Sequence, residues 1–454
     1  MKSRKFREYD PDQTLLMPPS LEEWLPDGHL ARFVSDVVDG LDLTEMRSSY
    51  DSPEGKGAPP YHPRMLLKVL VYGYATGTFS TRKLAAKCVD DVGYRYLSAQ
   101  QAPDFRTFIK FRSRHLEFFR NIFIQVVDFA QESGLVKLGH LSIDGTKVKA
   151  NASKHKAMSY SHMVSKEPEL RRQIEELIER AKAIDEAEAE EYGDWDGHSL
   201  PDHLRNRQDR LRAIQAAKKR IEARAKRRAE DEEQRRASEA EERKAQGKKP
   251  KRYRKPPDPT PKGREQDNFT DHESRIMRDG ATKGYIQGYN AQVGVDAEHQ
   301  IIVAAEVGDN ASDVGELLPM IDAAVANTGM HLGVVTADGG YKSDENFAGL
   351  DERGVDGYVA CGREAYDPRV RCPRGRLPKG ATRQDRMERK LLTKRGRSIY
   401  RKRKYTVEPV IGWIKACVGF REFSLRGLSK AAAEWQLVCL ALNIRRMGQM
   451  GSPC

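Results

Sequence analysis

The sequence has little cysteine, no long apolar run and, over one long stretch, few aromatic residues. Its six cysteines (Cys88, Cys361, Cys372, Cys417, Cys439 and Cys454) form no CxxC pair and follow no regular spacing. That argues against a disulfide framework and for reduced thiols in a cytoplasmic protein. Cys361 and Cys372 have no nearby His to complete a zinc site. No run of 18 apolar residues occurs, and the basic start MKSRKFREYDPDQ has no apolar stretch behind it, so neither a membrane span nor a signal peptide is expected. Aromatics are scarce between residues 156 and 265, where charge dominates. What remains is a 454-residue chain, 38% hydrophobic and 32% charged, long enough for two or three domains of which a large part must be solvated.

The formal net charge is +12, and one segment carries all of it: Cys361 to Lys404 holds 17 Lys and Arg against 4 Asp and Glu. Such a concentration repels itself unless it is solvated or faces a polyanion, and nucleic acid is the natural partner.

Residues 1 to 135 read as helical. Leu30, Phe33, Val34, Val37 and Val38 share one helix face after Asp27. Pro63 opens an apolar helix at its first turn, and Ser80 is placed to cap the next. In Pro103–His115, aromatics alternate with Arg106, Lys110 and Arg112, a pattern that suits phosphate contact and suits equally a helical bundle with a solvated basic face. Residues 156–265 show a short heptad pattern (Leu170, Ile174, Leu177, Ala181, Ile184), a break at Gly193, Trp195 and Gly197, and a capping box at Ser199–Asp202. This predicts an inserted antiparallel helical hairpin. Lys226–Lys262 loses the apolar stripe and is expected to be flexible.

The stretch LGHLSIDGTKVKANAS, Leu138–Ser153, predicts a strand ending at Asp144, a turn at Gly145 and a second basic strand. Asp-Gly is a common turn pair, so by itself the stretch leaves a plain hairpin open. Strand patterns return at Tyr285–Asp296 and Gln300–Val307, and Leu332–Asp338 is a buried strand that also ends in Asp-Gly. A third acid, Glu408, opens the helix predicted over Thr406–Ala416. Two strand ends and a helix can bring Asp144, Asp338 and Glu408 to one sheet edge. Carboxylate oxygens there suit Mg²⁺, with Mn²⁺ as a substitute, and leave positions for phosphate and water. Lys415 lies seven residues after Glu408, and Tyr400 and Arg403 precede it, placed to hold phosphates.

These blocks, Asp144-Gly-Thr-Lys, Tyr289-Asn-Ala-Gln, Asp338-Gly-Gly-Tyr and Glu408 to Lys415, together with Pro59–Lys68 and Ser80–Ala85, resemble those of bacterial insertion-sequence transposases of the DDE type. The resemblance implies an α/β, ribonuclease H-like mixed sheet with flanking helices over 136–155 and 266–454. It further implies an all-α DNA-binding domain over 1–135 and a charged helical insert over 156–265. It makes Asp144, Asp338 and Glu408 the catalytic and metal-binding triad, and places a Tyr-Arg-Glu-Lys signature on Tyr400, Arg403, Glu408 and Lys415, with the Arg-to-Glu spacing one residue too long. The neighbouring Arg401, Lys402 and Lys404, and Arg106, Lys110 and Arg112, are then candidate DNA contacts. The implied activity is Mg²⁺-dependent cleavage at element ends and 3′-hydroxyl strand transfer into target DNA, with double-stranded terminal repeats and target as partners and a homodimer or larger synapse. A nuclease of the same fold, or an idle DNA-binding relative, would share most of these features.

Overall fold

The strand predicted over Leu138–Asp144 forms the centre of the sheet, and the buried strand predicted over Leu332–Asp338 lies beside it. The computed structural model describes residues 20–50, 59–192, 202–245, 247, 249–280, 282–362, 370–373, 375–378 and 380–451. In chain order the strands are β1 (His140–Lys149), β2 (Ala157–Ser159), β3 (Gln266–Asn268), β4 (Arg275–Arg278), β5 (Tyr285–Asp296), β6 (Ile302–Gly308), β7 (Val334–Ala337) and β8 (Asp356–Val359). β1 is central. It pairs antiparallel with β5 along its whole length and parallel with β7 over His140–Ile143 only. β8 extends the sheet parallel to β7, while β4 and β6 share the outer edge of β5. The result is a mixed sheet of ribonuclease H type with helices packed against it.

The strand expected to stop at Asp144 does not stop. β1 runs unbroken through Asp144 and Gly145, which pair with Val293 and Gln292. Gly145 is there for room rather than for a turn: a Cβ at this position would lie 2.4 Å from Gln292 Nε2 and 2.9 Å from Asp313 Oδ1. The long antiparallel partner β5 supplies the hydrogen bonds that a turn would have forfeited.

The N-terminal helices Leu30–Gly40, Pro63–Ala75 and Phe118–Glu132 pack on the C-terminal helix Leu428–Met450, which also lies on β6. Their side chains form one continuous core with the sheet. Pro63 occupies the first helical turn, with His62 as the N-cap. In the next helix Ser80 is the N-cap residue by position, and its side chain makes no capping bond. Arg112, a candidate phosphate contact, lies inside this core at 5% exposure. Its Nη1 donates to Tyr74 Oη and Ser424 Oγ, both at 2.9 Å, and lies 3.6 Å from buried Glu434. Burial with its own counter-ion removes Arg112 from the surface cations, whereas Arg106 and Lys110 on the same helix are exposed.

The insert is a helical pair, Tyr160–Tyr192 and Asp202–Ala245, closed at its base by the β2–β3 ladder. It has a small core of its own in Met163, Leu170, Ile214, Ala217 and Ile221. The predicted break at Gly193–Gly197 and the capping box up to Pro201 lie outside the described residues. The expected flexibility of Lys226–Lys262 is not what the fold shows: helix continues to Ala245, and the residues from 249 onward turn back against it. Within-helix pairs such as Glu232 with Arg235 and Arg236 sustain a stretch that has no apolar stripe.

Candidate active site

The last ladder pair between the parallel strands is Ile143 with Ala337. Asp144 and Asp338 are the next residues on each, so the two acids sit side by side where β7 leaves the sheet and β1 continues. Asp338 caps the short 3-10 turn Gly339–Tyr341, its Oδ1 accepting the Gly340 N–H at 2.8 Å. Glu408 arrives from the helix Arg403–Gly412, which lies over β1 and β5. This helix starts three residues earlier than expected and ends in a π-turn, Trp413–Cys417. Pro409 sits inside it without an N–H to give, and the carbonyl of Tyr405 accepts the Gln300 side-chain amide at 2.6 Å instead.

The three acids meet on one guanidinium. Arg403 is 7% exposed. It bonds Asp144 Oδ2 at 2.7 Å and Glu408 Oε1 at 3.1 Å, and lies 4.0 Å from Asp338 Oδ2. The extra residue in the Arg-to-Glu spacing does not prevent this contact, because both residues lie on one short helix. Burial pushes the Asp144 carboxyl up to about 6. Arg403 pulls it back, while the charges of Asp338 and Asp313 push the same way as burial. Among the described residues no three His, Cys, Asp or Glu side chains form a ready metal cage; the arginine holds the acids in place.

A fourth carboxylate escaped the sequence reading. Asp313 Oδ1 accepts from Lys147 Nζ (3.0 Å), Asn290 Nδ2 (2.7 Å) and Gln292 Nε2 (2.9 Å). Buried Tyr341, whose phenol is raised well above its ordinary value by burial and the surrounding acids, donates to Gln292. The Tyr289-Asn-Ala-Gln block is thus the floor of the site. The amides Gln287, Asn290 and Gln292 recurring in a strand with apolar positions such as Ala291, Val293 and Val295 were the available signal. Lys415 donates from Nζ to the Lys147 carbonyl at 2.9 Å, and burial lowers its pKa. Tyr400 is buried, whereas Arg401, Lys402 and Lys404, which flank Arg403 in the chain, are exposed.

A mixed sheet of this topology with flanking helices is the ribonuclease H-like fold. Residues 257–444 match the transposase DDE domain, and residues 19–114 match a transposase domain (DUF772). The chain belongs to the DDE transposases of insertion sequences. No curated protein and no solved structure matches it. Transposase DDE domains in general depend on divalent metal and act on DNA. Among the described residues no helix is long and apolar enough to cross a membrane.

Proposed function

We propose that this chain cleaves DNA at the ends of its own element and joins the freed 3′-hydroxyl to target DNA, with Asp144, Asp338 and Glu408 as the metal-binding carboxylates. The observation that carries this reading is the convergence of those three acids, from three separate elements, on the Arg403 guanidinium. A site that holds one delocalised cation on hard carboxylate oxygens has the donor chemistry Mg²⁺ or Mn²⁺ requires. Bound there, the ion supplies positive charge for the phosphate oxygens and acidifies the attacking water.

The protein's own groups do the rest. Arg403, released from the acids, offers its two-pronged donor to a phosphate. Arg401, Lys402 and Lys404 hold the DNA backbone beside the site, and Arg106 and Lys110 extend the contact across the N-terminal helices. In the first step the water oxygen bonds to phosphorus and the P–O3′ bond breaks, leaving a 3′-hydroxyl on the element end. In the second step that 3′-oxygen attacks a target phosphorus, and the displaced target 3′-oxygen takes up the proton.

The test is a cleavage and joining assay on supercoiled plasmid carrying the DNA that flanks the gene. Asp144→Asn, Asp338→Asn and Glu408→Gln should each lose cleavage on the order of 100-fold or more while still binding DNA. Full cleavage by Asp144→Asn sinks the assignment. Cleavage without joining of a pre-cut 3′-hydroxyl end would make the protein a nuclease. Tight binding without cleavage under Mg²⁺ or Mn²⁺ would make it an idle DNA-binding relative.

A further inference from the structure

We infer that residues 249–255, the strap that folds back on the long insert helix, form a second DNA-backbone binding surface separate from the catalytic centre. The inference rests on the reading of DNA as substrate. The strap, Lys-Pro-Lys-Arg-Tyr-Arg-Lys, carries five cations and no acid. Lys251 pairs with Glu239. Lys249, Arg252 and Arg254 are exposed with no carboxylate partner among the described residues, and Lys255 is exposed with its charge facing Asp258.

A segment of this composition repels itself and would stay loose in solution unless something held it. Here it is held along its length. Arg243 Nε donates to the Lys249 carbonyl at 3.0 Å, and Arg236 Nη1 donates to the Lys255 carbonyl at 2.8 Å. Between those two points Tyr253 donates its hydroxyl to Glu239 and receives the Arg236 guanidinium on its ring, 4.1 Å from the centroid. Two more arginines are thus brought to an already basic strap, bonding its carbonyls rather than neutralising it. The arrangement fixes Lys249, Arg252 and Arg254, without carboxylate partners among the described residues, and Lys255 beside them along a segment that spans at most about 20 Å. A row of phosphates is the partner that relieves such a field, and each contact releases counterions.

The placement suits the same duplex. Arg235, on the helix turn next to Arg236, pairs at 3.2 Å with Glu345. Glu345 opens the helix that follows the Asp338 turn, seven residues on from Asp338. Seven residues of chain reach at most about 25 Å, less than one turn of DNA at about 35 Å. A duplex lying on the strap therefore comes within reach of the acids.

The experiment is the salt dependence of binding of the full chain to a 30-base-pair duplex of arbitrary sequence, read by fluorescence anisotropy. The triple variant Arg252→Gln, Arg254→Gln, Lys255→Gln should lose about 2 to 3 units of slope in log K against log salt, and at least about tenfold in affinity near 0.15 M salt. Tyr253→Ala leaves the charge unchanged but frees the strap, and should weaken binding by about threefold or more. An unchanged slope in the triple variant overturns the inference, as does an unchanged affinity. Loss of binding to an acidic protein or of self-association, with DNA binding intact, would also overturn it. Failure of the intact protein to bind any duplex would instead strike the reading of DNA as substrate.

Discussion

Replacing Arg403 by Ala removes the cation that, among the described residues, bridges Asp144, Glu408 and Asp338. Breaking a buried ion pair from one side costs about 3–5 kcal/mol when the remaining charge cannot be neutralised. Asp144 can be neutralised, since its carboxyl already titrates at about 6, above the 3.8 of an exposed Asp. A raised folded value means the folded chain binds more protons between those two pH values, so this group's contribution to stability is lost as pH rises through that window. Without Arg403 the folded value moves higher, and the loss continues past pH 6. The variant's deficit should therefore be small near pH 6 and grow by up to about 1.4 kcal/mol per pH unit, reaching on the order of 3 kcal/mol at pH 8. Urea unfolding of the full chain in EDTA at pH 6, 7 and 8 measures it. Mg²⁺ should then stabilise Arg403→Ala more than the wild type, because no guanidinium competes for the acids. A deficit independent of pH, or a larger Mg²⁺ effect on the wild type, would refute the idea that Arg403 holds the ion's place.

Other consequences concern the scaffold. Glu434→Ala strands Arg112 in the core and should cost about 3–5 kcal/mol in urea melts, much of it recovered by adding Arg112→Leu. Gly145→Ala drives a methyl into Gln292 and Asp313, and should cost about 1–3 kcal/mol and disturb the site; near-wild-type stability with full cleavage would contradict the close approach seen there. His115 is fully buried, bonded to Tyr50, and pushed down to about 4 by burial and the Arg114 charge. Its folded value lies below the ordinary 6.5, so stability should fall as pH drops from 6.5 to 4, by up to about 3 kcal/mol; His115→Gln should flatten that part of the pH profile.

Much of the fold was legible because burial leaves a periodic trace. Leu141 and Ile143 alternate with Ser142, Ala337 ends an apolar strand, and the helices Pro63–Ala75 and Leu428–Met450 show their apolar positions plainly. Gly145 was misread because Asp-Gly is a turn pair in isolation, and the long partner β5 that overrides the turn is 140 residues away. The helix through Lys226–Ala245 was missed because charge pairs three and four residues apart, rather than an apolar stripe, sustain it. The burial of Arg112 has no local trace, because its counter-ion Glu434 lies 322 positions along the chain.

The sequence by itself determined the three acids, the basic segment, the helical insert and the family, since each is carried by residue type and local spacing. Only the tertiary structure decided what stands among the acids. That Arg403 spans Asp144, Asp338 and Glu408, that Asp313 and the Asn290–Gln292 amides floor the site, and that the strap at 249–255 is held on its helix are facts of distance between remote positions. Local pattern cannot report them, because a charge acquires its partner only when the chain has closed around it.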